Sequence, residues 1–175
     1  MELERRFATE VQAKGRRLEG YCARFGVVAD LGSFRERIVP GAFRASLDAR
    51  DDIAALVDHN AEKLLGRTRS GTLTLHEDST GLEFRVDLPT TSLASDILAL
   101  AERGDLSGCS FGFAVRPDGE SWQGDTRELR GIRLYEISIL TGASPAYPNT
   151  CVTARAAHLA MPMRLHLAKK FLETV

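Results

Sequence analysis

The chain has 175 residues, 43% of them hydrophobic and 27% charged, with a formal net charge of −1. That is the make-up of one globular domain with a full core, and it offers no electrostatic reason to expect nucleic acid or an anionic membrane as partner. No apolar run approaches the length of a bilayer span, and Met1 to Phe7 lacks the apolar stretch of a secretion signal, so a cytoplasmic protein is expected. Cys22, Cys109 and Cys151 are widely spaced without a CxxC pair, and His59, His76, His158 and His166 do not cluster with them. Neither a disulfide framework nor a metal site is expected, and no cofactor.

In chain order, Glu4 to Gln12 and Arg17 to Phe25 alternate as two strands of a hairpin around Ala13-Lys14-Gly15. Phe34 to Val39 is a short extended piece broken by Pro40-Gly41, and Ala42 to Arg50 has the pattern of a short helix. Ile53 to Val57 is a compact apolar strand ending in Asp58-His59-Asn60. Lys63 to Arg69 continues extended, and Thr72 to His76 and Leu82 to Leu88 form a further hairpin. At Ser92 the period changes: Leu93, Ile97, Leu98, Leu100 and Ala101 make a helical stripe, with Thr91 or Ser92 as cap and Gly104 as stop.

Beyond that helix, Cys109, Phe111, Phe113 and Val115 fall on one face of a strand, and Ser110, Gly112 and Ala114 on the other. The small-residue face reads as a shelf that another extended chain could approach, with a hydroxyl at its start. Arg116 to Gln123 is a polar excursion with the single Trp122. Arg127 to Leu140 reads as one long strand, with Tyr135, Ile137 and Ile139 on one face and Leu134, Glu136 and Ser138 on the other. Cys151 to Ala154 is a last short strand, and Ala156 to Leu172 a helix interrupted at Pro162. The sum is a β-rich α+β single domain, a partly closed antiparallel barrel with a few peripheral helices.

Three residues stand out for chemistry. Ser110 opens the small-residue face. His59 follows an apolar strand, where its ring is held while one nitrogen stays accessible, and its ordinary pKa suits a general base. Glu136 sits among Leu, Tyr and Ile, where an unpaired carboxylate is costly. Each also has a plain structural reading: a strand serine, a histidine satisfied by Asp58 or Asn60, and a carboxylate that is solvated or paired with Arg133. Ser107, beside Gly108, is expected to bond local backbone, and Ser138 could support Glu136. A serine, a histidine and a carboxylate by themselves reach only as far as a possible hydrolase.

The motifs go further. Gly20 to Phe25, Phe34-Arg35-Glu36-Arg37-Ile38-Val39-Pro40-Gly41-Ala42-Phe43, Asp58-His59-Asn60 with Leu65-Gly66-Arg67-Thr68, Ser107-Gly108-Cys109-Ser110-Phe111-Gly112-Phe113, and Leu134 to Ser138 with Ser144-Pro145-Ala146-Tyr147-Pro148 occur in order. This series, from about Leu18 to Ala154, resembles the prohead (capsid-maturation) proteases of tailed bacteriophages, with Cys109 where a Met is usual. That family is distantly related in fold to the herpesvirus assemblins, so the barrel would be assemblin-like.

The resemblance implies a serine endopeptidase with Ser110 as nucleophile, His59 as general base and Glu136 as third member, where assemblins use a second histidine. It implies action inside an assembling procapsid, on scaffold or the propeptide of the major capsid protein and on the chain itself, by a homo-oligomer without nucleic-acid or membrane partners. The protease domain would be residues 1–155, followed by a helical tail over 156–175. The alternative is a catalytically silent scaffold or assembly partner with the same fold.

Overall fold

Alternating apolar and β-branched residues put most of this chain into short strands, and their pairing decides where each face points. A computed structural model describes residues 3–8, 10–142 and 153–155. Its strands are β1 Glu4–Ala8, β2 Glu10–Ala13, β3 Arg17–Arg24, β4 Val28–Asp30, β5 Arg35–Ile38, β6 Ala54–Val57, β7 Asn60–Arg67, β8 Leu73–Glu77, β9 Gly81–Asp87, β10 Gly108–Val115, β11 Glu120–Gln123, β12 Thr126–Leu129, β13 Ile132–Leu140 and β14 Thr153–Arg155. Among the described residues two helices accompany them, α1 Arg44–Asp48 and α2 Ser92–Arg103.

The described strands form three sheets, ordered β14-β1-β10-β13-β6-β7, β11-β12-β5-β4 and β2-β3-β9-β8, none of which closes on itself. The pairing is not wholly antiparallel, because β13 runs parallel to β6 and β12 parallel to β5. The expected first strand is divided between two sheets, β1 pairing with β10 and β2 with β3. The expected strand over Arg127 to Leu140 is likewise two: β12 lies beside β5 and β13 beside β10, and the break falls at Arg130-Gly131. The polar excursion contains a strand, β11, whose Trp122 packs edge-on to Phe34 at 5.2 Å. The helix expected over Ala156 to Leu172 lies outside the described residues.

One apolar cluster joins the sheets, built around Leu18, Phe43, Phe84, Phe111, Phe113 and Ile137. The motif over Phe34 to Phe43 serves this architecture. Ile38, Ala42 and Phe43 enter the core, and Phe43 packs edge-on to Phe111 at 5.6 Å. Gly41 adopts φ +94°, a conformation that favours glycine. The Glu77 carboxylate accepts the N–H groups of Gly41 and Phe43, holding the turn that leads into α1. Helix α2 begins and ends as its sequence predicts: Thr91 Oγ1 accepts the Ala94 N–H, and Gly104 closes it at φ +77°.

Candidate active site

The site is built on β10, the strand between β1 and β13 in the six-stranded sheet. Cys109, Phe111 and Phe113 face the core. Ser110 and Gly112 face the opposite side, where Ser110 stands across from Ser138, and Gly112 across from Glu136. Burial, with the Cys22 thiol beside it, pushes the Cys109 thiol well up, so it is an inert packing group rather than a competing nucleophile.

A β-bulge sets the direction of Glu136. Gly112 pairs with Glu136 but Phe113 pairs with Leu134, which leaves Tyr135 as the extra residue. Strict alternation had placed Tyr135 with Ile137 and Ile139, and Leu134 with Glu136. The bulge instead sends Tyr135 to the surface and returns Leu134 to the core, while Glu136 keeps the face of Ser110. The same registers correct the idea of an open shelf. Both edges of β10 are occupied, Ala114 is fully buried, and the space above Gly112 is filled: a Cβ there would lie 2.4 Å from Glu136 Oε1.

His59 arrives through an unusual turn. Val57 of β6 pairs with Asn60 of β7, leaving Asp58 and His59 as a two-residue loop with φ +50° and +59°. A two-residue hairpin needs positive φ at both central positions, a demand that Asn-Gly normally meets. Asp and His tolerate it better than most residues, and partners on β13 and just beyond its end hold it. The Asp58 N–H donates to Ile139 O at 3.0 Å, and its carboxylate accepts the N–H and hydroxyl of Thr141. The His59 N–H donates to Ser138 Oγ at 2.7 Å. Asp58 is thus committed to Thr141, and the ring nitrogen Nδ1 of His59 lies 2.8 Å from Glu136 Oε1.

The structure therefore brings His59 and Glu136 into contact and puts Ser110 on the same face, across from the serine that holds the His59 backbone. Among the described residues no hydrogen bond joins Ser110 to His59. In the tautomer that donates from Nδ1 to this carboxylate, Nε2 is the ring's acceptor nitrogen. Glu136 is 8% exposed and Ser110 2% exposed. Arg133 does not pair with Glu136: it reaches Asp51 at 3.3 Å and lies over the Tyr135 ring. Ser107 Oγ reaches Gly142 O at 3.4 Å, so that hydroxyl is spent on backbone.

Three contributions were not visible in the sequence: the Asp58–Thr141 clasp, the packing of Gly112 under Glu136, and Arg5, whose Nε lies 3.8 Å from Glu136 Oε1. Their partners lie far away in the chain, so no local pattern marks them. Among the described residues no group of three or more His, Cys, Asp or Glu is placed to hold a metal ion. Nor is any described helix long and apolar enough to cross a membrane.

A strand serine facing the same way as a histidine that has one ring nitrogen on a carboxylate is the residue set used by triad-type serine hydrolases. The sequence comparison narrows the class. The caudovirus prohead serine protease family matches residues 2–163, and the chain belongs to that family. It is accordingly a serine peptidase with a role in capsid maturation. No curated protein and no solved structure matches it significantly.

Proposed function

We propose that this prohead protease cuts peptide bonds with Ser110 as nucleophile, His59 as general base and Glu136 as the acid that orients the imidazole. The observation that carries the reading is the His59 Nδ1 to Glu136 Oε1 contact at 2.8 Å, on the sheet face that also presents Ser110. Ser110 Oγ attacks the scissile carbonyl carbon while its proton passes to His59 Nε2. The same proton then goes to the leaving amine, and a water deprotonated by His59 cleaves the acyl ester, returning the proton to Ser110. Glu136 keeps its charge throughout and stabilises the imidazolium.

The substrates are the scaffold or the propeptide of the major capsid protein, and a terminal segment of the chain itself, handled by a homo-oligomer inside the procapsid. The protease domain spans 1–155, with 156–175 as an appended tail. The three sheets, sharing one core, are arranged as a partly closed barrel of the assemblin kind.

Co-expression with the major capsid protein, read by intact mass for the native chain and for Ser110→Ala, tests this. Defined fragments that vanish in Ser110→Ala support it. Fragments that persist in Ser110→Ala move the nucleophile elsewhere, and association without cleavage in both samples favours a silent scaffold.

A further inference from the structure

Arg5 and Glu136 belong to strands that are not neighbours. Arg5 of β1 pairs with Gly112 of β10, and Gly112 pairs with Glu136 of β13. The two outer backbones are therefore about 9–10 Å apart, two strand spacings. Any side chain on the middle residue would stand between them. Glycine removes it, and the carboxylate lies in its place, 3.8 Å from Arg5 Nε. Arg5 Nε and Glu136 Oε2 are also the two buried side-chain polar atoms without a hydrogen-bond partner among the described residues. Buried donors and acceptors are normally satisfied. The guanidinium thus faces the carboxylate as an ion pair through Oε1 at 3.8 Å, with no hydrogen bond of its Nε to any other group and none to Oε2 competing with that contact.

The charged groups around the carboxylate leave this role to one residue. From the β6–β7 turn come His59, which holds Oε1, and Asp58, which is held by Thr141. Cys109 of β10 faces the core as a neutral thiol, and Arg133 of β13 is engaged by Asp51. On β1, Glu4 and Arg6 pair with each other and with Arg127 and Glu36. Among the described residues Arg5 is the one Lys or Arg within 4.0 Å of the Glu136 carboxylate.

We infer that Arg5 is a positioning residue of the catalytic centre: it reaches across Gly112, holds the Glu136 carboxylate charged and aimed at His59, and opposes protonation of the imidazole. The inference rests on the triad reading above. It makes the first strand of the chain part of the active site, anchored by Arg6 on one side and presenting Arg5 on the other.

The test labels Ser110 with a fluorophosphonate. Oγ bonds to phosphorus, fluoride leaves, and His59 takes the serine proton, so the labelling rate follows His59 without a peptide substrate. Rates are measured by intact mass across pH for the native chain, Arg5→Gln and Arg5→Lys, with thermal melts alongside. Arg5→Gln is expected to label about 10-fold more slowly near neutral pH, with the acid limb of its profile moved up by about 0.5–1 unit. Arg5→Lys is expected to return the limb to its native position. Arg5→Met, which keeps the apolar stem against the sheet, carries the test if Arg5→Gln does not fold. A native chain labelled at Ser110 with an unmoved limb in the neutral variants overturns the role of Arg5 alone. A native chain that takes no label at Ser110 overturns the triad reading itself, and the role of Arg5 with it.

Discussion

Two charged clusters lie on opposite sides of β1 and are bonded to opposite standards. On one side Arg6, 1% exposed, donates to Glu36 through Nε at 2.5 Å and Nη2 at 2.8 Å, and to Glu4 at 2.8 Å. Arg127 then clasps both oxygens of Glu4 and reaches Glu36 and Glu120. Every carboxylate oxygen of Glu4 and Glu36 has a guanidinium partner, and the cluster ties β1 to β5, β11 and β12. On the other side Glu136 shares one oxygen between His59 and the more distant Arg5 and leaves the second without a bond. The first arrangement has nothing left to do but hold strands together. The second keeps capacity in reserve, which suits the proposed triad, in which the neighbouring imidazole changes charge.

The widest separation between the two clusters should come from their largest effects. Ser110→Ala is expected to lower cleavage by about 10³-fold or more while moving the urea midpoint little. Glu36→Ala should do the reverse in kind. It takes two hydrogen bonds from a fully buried guanidinium and leaves Glu4 as its one remaining carboxylate partner, and breaking a buried ion pair costs at most about 3–5 kcal/mol in urea unfolding. If Glu36→Ala unfolded like the native chain, the buried cluster would not be the anchor of β1.

Gly112→Ala probes the boundary between the clusters. Its backbone is ordinary, so the cost falls on the carboxylate that a Cβ would meet at 2.4 Å. Displacing Glu136 is expected to reduce cleavage by about 10²-fold, for about 1–2 kcal/mol of stability, measured by labelling rate and urea midpoint on the same sample. Native activity in this variant would mean that Glu136 works equally well elsewhere.

Ser138→Ala removes the acceptor of the His59 N–H from a turn already at positive φ. We expect about 1 kcal/mol of destabilisation and about a 10-fold loss of cleavage, since the ring loses its fixed approach.

The smallest effect is the pH response of the structural cluster. Burial pushes the Glu4 carboxyl up, but the hydrogen bond and charge of Arg127, with Arg6 beside it, outweigh this and hold it below the usual range. A carboxyl depressed by folding contributes stability that is present above its unfolded pKa and lost as the pH falls through its lower folded value. Urea midpoints should therefore be steady above about pH 5 and decline below about pH 4.5. In Glu4→Gln the Glu4 share of that decline should be absent. An unchanged slope in that variant would assign the acid sensitivity to other carboxylates.

Much of the placement of the candidate residues was legible in the sequence because they occur in patterns that local chemistry explains. A serine facing away from Cys109, Phe111 and Phe113 follows from period two, and the capped helix over Ser92 to Arg103 follows from its stripe and its glycine. The polarity of Glu136 within an apolar strand signalled a need for partners. What misled was the assumption of unbroken alternation. One extra residue at Tyr135 reverses the phase of β13, and the bulge has no marker in Leu134 to Ser138 themselves. Likewise Gly112 reads as room for a substrate when only the strand is considered, although the neighbouring strand fills that room.

By itself, then, the sequence determined which segments extend, where the long helix starts and stops, and which side chains carry reactive groups. These follow from interactions spanning a few residues. Only the tertiary structure decided that Glu136 meets a histidine 77 positions away, that Asp58 is clasped by Thr141, and that Arg5 reaches the same carboxylate across a glycine. The reason is that cross-strand register is set by the packing of whole sheets. A slip of one residue along β13 would turn Glu136 and Ser138 to the other face, away from His59 and Arg5.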